Sequence, residues 1–172
     1  SLNYAGTLYR APEGFFRDPQ WSGLADWQAA LAPHYATAER MLGVQTVPFE
    51  SDGALFLKEA GEAFGVAQTY RNTPCGVYFG EPGKVVDDPY FGGAGPQRTG
   101  CTRCGACMVG CRVGAKNTLL KNYLWFAEKL GVRIEPDRTA ADVRPLGAAD
   151  GSEGYVVTHE RTGAWVRRGS RR

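Results

Sequence analysis

Four of the five cysteines in this 172-residue chain fall within eleven positions, as Cys101-x2-Cys104-x2-Cys107-x3-Cys111. A disulfide scaffold spreads its cysteines so as to staple distant loops, whereas this run concentrates thiolates in one tight turn, which is how a ligand set is built. Gly105 and Gly110 let the backbone come close to a bound centre without a Cβ in the way. The spacing therefore predicts a ligand site. Three outcomes stay open at this point: an iron–sulfur cluster, zinc held tetrahedrally by thiolates, or cysteines that pack or pair without metal.

The assignment of ligands is also open. In two-cluster ferredoxins the fourth cysteine of such a run precedes proline and serves a second cluster. Here Arg112 follows Cys111, and no second set of cysteines exists. Either Cys101, Cys104, Cys107 and Cys111 all hold one [4Fe-4S] cluster, or Cys75, which follows Pro74, supplies a remote fourth ligand and Cys111 is spare. Other reactive residue types form no constellation. Glu13, Asp18 and Asp26 make no acid pair, and Lys58 with Glu62 reads as a helix-surface ion pair. His34 and His159 read as structural or surface residues, and the four tryptophans as core or interface rather than a stacking platform.

The cysteines sit between segments of very different texture. From Asp18 to Leu42, apolar residues at Trp27, Ala30, Leu31, Tyr35, Ala38, Met41 and Leu42 recur at helical spacing. Asp26 is placed to cap the start and Gly43 to end it, with Pro33 expected to break or kink the middle. Residues 51–65 read as a second amphipathic helix closed at Gly65, offering Leu55, Ala60, Ala63 and Phe64 to a core. Between Arg71 and Gly100 stand seven glycines and four prolines, the composition of a long irregular excursion, with β-type patches at 77–79 and 89–91. NTLLKNYLWFAEKLG then reads as the strongest helix, capped by Asn117 or Thr118 and ended by Gly131. VRIEP reads as a strand, and TAADVRPL with GYVVTHE as a strand pair joined across GAADGSE. SLNYAGTLYR reads as loop or short strand. The resulting division is 1–70, 71–115 with the cysteines, and 116–172.

Bulk properties narrow the classes. A 43% hydrophobic content in 172 residues suits a globular chain with one real core. Twenty basic against eighteen acidic side chains leave +2, so no overall field argues for nucleic acid or an acidic membrane surface. The excess of arginines at 161–172 reads as a solvated terminus. No apolar run is long enough to span a bilayer. The opening at Ser1, without methionine, reads as part of something longer. Thiols that ligate metal must stay reduced, which points to the cytoplasm.

Residues 77–132, VYFGEPGKVVDDPYFGGAGPQRTGCTRCGACMVGCRVGAKNTLLKNYLWFAEKLGV, resemble the glucose-methanol-choline oxidoreductases, in their cholesterol-oxidase-like branch with a cysteine-bearing insert. SLNYAGTLYRAPEGFFRDPQW resembles the segment after the second glycine-rich flavin motif of that family. The resemblance implies a mixed α/β (α+β) fold, part of an FAD-binding Rossmann-type domain interleaved with a substrate-binding domain. It implies oxidation of the CH–OH group of an alcohol or sterol, with hydride passing to FAD. Carried over by residue, Ser1, Leu2, Asn3 and Gly6 would lie along the flavin, and the main chain of Val143 would meet the adenine. The glycine fingerprint for the pyrophosphate and the catalytic histidine are not in this sequence, so the resemblance implies no catalytic residue here, and the chain's partners would be the remaining segments of the same enzyme. The rival reading is a ferredoxin-like [4Fe-4S] electron-transfer module, and a third makes the insert a docking surface.

Overall fold

The computed structural model describes residues 7–163 and 170–171. They form an α+β arrangement of two compact units, one running to Leu130 and one from Gly131. The first carries α1 (Glu13–Phe16), α2 (Trp27–Leu42), β1 (Gln45–Thr46), α3 (Asp52–Ala63), β2 (Pro74–Cys75), β3 (Val85–Val86), β4 (Arg98–Thr99) and α4 (Tyr123–Lys129). The second carries β5 (Arg138–Pro145), β6 (Tyr155–Arg161) and β7 (Ser170–Arg171). Every pair of these strands is antiparallel: β1 with β2, β3 with β4, and the ordered trio β5-β6-β7. The parallel sheet that a Rossmann-type domain requires is not assembled among the described residues, because none of these strands has a parallel neighbour to pair with.

α2 is a single helix rather than two. Asp26 accepts the amide of Ala29 at 3.0 Å, and Gly43 ends the helix in the left-handed region at φ 56°. Pro33 lies inside it and removes only its own N–H from the ladder, so with both ends capped the helix runs through. α3 starts at Ser51, whose hydroxyl accepts the amide of Ala54 at 3.3 Å, and the turn closes through Gly65 at φ 69°. Its expected core residues are exposed: Leu55 and Phe64 are 42% and 82% accessible. Lys58 turns to Glu50 at 3.8 Å rather than to Glu62.

The helix expected from Asn117 onward is cut in two. A 3-10 turn at Leu119–Lys121 is followed by Asn122 at φ −141° and ψ −99°, and only then by the seven residues of α4. Asn117 does not cap; its Oδ1 accepts Nε of buried Arg98 at 2.7 Å. Asn122 caps α4 instead, accepting the amide of Tyr123 at 2.6 Å while its Nδ2 donates to the carbonyl of Met41 at the end of α2. The excursion 71–100 folds onto α4 through Phe91 edge-on to Phe126, and through Trp125 and Lys129 donating to the carbonyl of Ala94.

The VRIEP strand does not form. Asp137 adopts a positive φ of 56° just before β5, and Arg133 pairs with Glu135 at 3.0 Å, leaving the segment without a ladder partner. The β5–β6 hairpin does form, joined across residues 146–154 and irregular between Ala140 and Asp142.

Candidate functional site

The cysteines are placed by one extended segment, 74–78. Leu8 donates to the carbonyl of Pro74 at 2.9 Å, and Thr7 and Gln45 both stand opposite Cys75. Further along, Tyr78 donates to Ala115 at 2.9 Å, Asn117 donates to Gly76 at 2.7 Å, and Cys101 donates to Tyr78 at 3.0 Å. The same few residues therefore hold Cys75, the start of the cysteine run and the segment that follows it. The apolar residues buried in this chain's described part are Val77, on this segment, and Ala115, which accepts the amide of Tyr78.

Within the run, left-handed backbone makes the turn. Arg103 has φ 59°, Gly105 φ 71° and Gly110 φ 106°, on either side of a 3-10 turn at Ala106–Val109 that carries Cys107. A non-glycine residue at such a φ is uncommon. Arg103 is held there by two contacts: its amide donates to Sγ of Cys101 at 3.4 Å, and its guanidinium lies 4.4 Å from the ring of Phe49.

Cys111 is surrounded by backbone amides. The amide of Lys116 donates to its Sγ at 3.4 Å. Burial pushes its thiol up, but the amides of Lys116, Ala115, Gly114 and Val113 outweigh burial and hold it below the ordinary cysteine value. Cys107 goes the other way, raised by burial and by the nearby sulfurs of Cys101, Cys111 and Cys104. Cys75 is raised by burial and by Cys107 and Cys101, against a hydrogen bond with Thr7 that lowers it. Cys104 is exposed. The 74–78 segment thus runs beside the cysteine run, with Cys75 close enough to Cys107 and Cys101 for their charges to raise it.

Among the described residues, no three Cys, His, Asp or Glu side chains are grouped so as to hold a metal ion. Thiolates at about 2.3 Å from one ion must nearly touch each other. Cys101, Cys104, Cys107 and Cys111 are free thiols, with Sγ of Cys101 and of Cys111 accepting backbone amides. The iron–sulfur and zinc readings, and the electron-transfer module built on them, gain no support from this arrangement.

Sequence reasoning missed the cations of the site. Lys116 is 2% accessible and its Nζ donates to the carbonyl of Cys107 at 2.9 Å. Lys121 is held below its usual basicity by burial and by Arg98, with Cys111 opposing the shift. Arg98, 1% accessible, donates to Asn117, Pro96, Gln97 and Lys121 and lies 5.5 Å from the Tyr90 ring. No sequence pattern marks these residues, since Arg98 reaches Asn117 and Lys121, and Lys116 reaches Cys107, only through the folding of the chain.

Of the residues expected to meet FAD, Ser1, Leu2, Asn3 and Gly6 lie outside the described residues. Val143 lies inside β5, opposite Val157, rather than at a strand end. β5 is the edge of its sheet, so alternate residues along it present free main-chain groups. The other face of the hairpin carries Asp142 and Arg144, paired at 2.5 Å, in a shallow cleft with Val156 and Thr158. In the first unit an open cleft of about 730 Å³ is lined by Thr7, Tyr9, Leu57, Tyr70, Arg71 and Pro74. His34 is exposed and His159 half-buried in β6.

Comparison with curated proteins then bears on this geometry. The chain is 51% identical over 177 residues to a cholesterol oxidase of Mycobacterium tuberculosis (strain H37Rv), an alignment covering 99% of this chain and 30% of that protein. It is 46% identical over 170 residues to a cholesterol oxidase of Acinetobacter baumannii, covering 96% and 31%. This chain is similar to one part of a cholesterol oxidase. It spans about 30% of the length of these relatives. No protein-family model matches it, and no solved structure does. No described helix is long and apolar enough to cross a membrane.

Proposed function

We propose that this chain is a portion of an FAD-dependent oxidoreductase acting on the CH–OH group of a sterol or related alcohol. The observation that carries the reading is identity of 51% and 46% to two cholesterol oxidases across 99% and 96% of the chain, with the cysteine run included. FAD, when bound, would take up the hydride from the alcohol carbon. The part of this chain is to bind and position: Ser1, Leu2, Asn3 and Gly6 along the flavin, and the main chain of Val143 toward the adenine. Thr7, next in sequence to that glycine, pairs with Cys75, and Leu8 is bonded to Pro74. The described end of the flavin-contacting segment is thus tied to the spine of the cysteine site. The partner is the remainder of the same polypeptide, and uncovered apolar residues such as Phe56, Leu57 and Leu130 suit burial against it.

The test uses the full-length polypeptide. It is expected to purify yellow, with flavin absorbance bleached by a 3-hydroxysterol under anaerobic conditions, while residues 1–172 alone turn over no sterol. Sustained sterol oxidation by residues 1–172 alone, or a full-length protein that neither retains flavin nor oxidises sterols, would overturn the reading.

A further inference from the structure

We propose that the cleft bounded by Thr7, Tyr9, Leu57 and residues 68–74 takes the steroid itself, with Arg71 and Tyr9 holding a carboxylate at the end of its side chain. On the flavin-oxidoreductase reading, on which this rests, the substrate class narrows to 3-hydroxysteroids with an acidic tail. Arg71 and Tyr9 bind and take no part in the oxidation.

The wall of the cleft sets a direction and a length. Thr7 stands opposite Cys75 in an antiparallel bridge, and Leu8 donates to the carbonyl of Pro74 at 2.9 Å. From there the wall runs back through Thr73, whose carbonyl accepts the amide of Val47 at 3.1 Å, to Tyr70, extended at φ −67° and ψ 134°. Arg71 is therefore about 13 Å along the wall from the level of Thr7, at about 3.3 Å per extended residue. Thr7 follows Gly6, the residue set along the flavin. A steroid lying in the cleft with its hydroxyl end toward Thr7 thus brings its side chain toward Arg71.

The lining suits a rigid apolar body with a polar tail. A volume of about 730 Å³ falls within the roughly 300–1,000 Å³ of small-molecule sites. Leu57, Pro74 and the rings of Tyr9 and Tyr70 offer apolar surface to fused rings. Tyr70 is fixed in place, since its hydroxyl donates to Oδ1 of Asn72 at 3.2 Å while Nδ2 of Asn72 donates to the carbonyl of Val47 at 3.0 Å.

Charge decides the kind of tail. Neighbouring cations are matched on the protein: Arg10 with Glu39 at 2.6 Å, and Lys58 with Glu50 at 3.8 Å. Among the described residues no carboxylate lies within ion-pair distance of Arg71, whose Nη2 donates to the hydroxyl of Tyr9 at 3.3 Å. That phenol accepts from Arg71 and keeps its own O–H to donate. A guanidinium fork beside a phenol donor, at the end of a half-apolar cleft, is suited to a carboxylate.

The test compares 3-hydroxycholenoic acid with its methyl ester as substrates of the flavin-loaded full-length protein. The acid is expected to exceed the ester about tenfold in kcat/KM, chiefly through a lower KM. Arg71→Met should bring that ratio to about one, Arg71→Lys should restore part of it, and Tyr9→Phe should lower it several-fold. Because the ratio is taken within one preparation, partial misfolding lowers both rates and leaves it unaltered. Equal kcat/KM for acid and ester in the wild-type protein, or a preference that survives Arg71→Met, would overturn the acidic-tail assignment and leave the sterol-oxidoreductase reading standing. A flavin-loaded protein that oxidises neither these steroids nor cholesterol would overturn both.

Discussion

Nη2 of Arg98 donates to the carbonyl oxygen of Lys121 across 2.8 Å, joining β4 to the turn that precedes α4. The carbonyl is thereby engaged away from the helix, whose ladder begins one residue later with Phe126 donating to Asn122 at 3.0 Å. Because the guanidinium also serves Asn117, Pro96 and Gln97, one side chain closes the glycine- and proline-rich excursion onto the segment after the cysteines.

Replacing that fork by a single ammonium should show its worth. Arg98→Lys keeps the charge but cannot reach Asn117, Lys121 and Pro96 together, leaving buried acceptors unpaired. A loss on the order of 3 kcal/mol is expected in urea unfolding of the full-length protein. An unchanged midpoint would show that these bonds are dispensable.

Asp88 gathers the amides of Tyr90, Phe91, Gly93 and Gly95 at 2.9–3.0 Å. Burial pushes its carboxyl up, but the four amides outweigh it and the net shift is downward. A depressed carboxylate contributes stability that is present above the unfolded-state value, about 3.9, and is lost as pH falls through the lower folded value. Asp88→Asn should therefore destabilise at neutral pH by about 1–3 kcal/mol, and the gap to wild type should narrow in acid. Thermal melts between neutral and strongly acidic pH measure this, and a gap independent of pH would refute it.

Gly100 has no room for a methyl group, since a Cβ there would lie 2.0 Å from the carbonyl oxygen of Glu81. Gly14 meets nothing within 4 Å. Gly100→Ala should cost more than about 2 kcal/mol because backbone must move, whereas Gly14→Ala should be neutral or stabilising by up to about 1 kcal/mol. Paired denaturation curves would show whether the two substitutions separate as expected.

Asn122 is fully buried and holds the last turn of α2 and the first of α4 at once. Asn122→Ala removes the donor to Met41 and the cap of Tyr123, and a loss of about 2–4 kcal/mol is expected. Hydrogen exchange should show faster exchange in the first turn of α4; exchange unaltered there would contradict the capping role.

Much of this was legible locally. Asp26, Gly43 and Gly65 mark real helix ends, and the alternation on both sides of GAADGSE marks the β5–β6 hairpin, because caps and strand periodicity depend on residues a few positions apart. The apolar spacing at 117–131 does not become one helix, because Arg98, nineteen positions away from Asn117, takes the residue placed to cap it. The exposure of Leu55 and Phe64 on α3 is invisible locally, because periodicity shows which face is apolar and not whether anything covers it.

The cysteine run shows the same division. Its spacing by itself determined that several thiols share one glycine-permitted turn, since that follows from chain geometry over eleven residues. Only the tertiary structure decided what surrounds them. The approach of Cys75 depends on the 74–78 spine, and the amides and lysines around Cys111 depend on how 113–121 folds back, so both are set by contacts that no local pattern encodes.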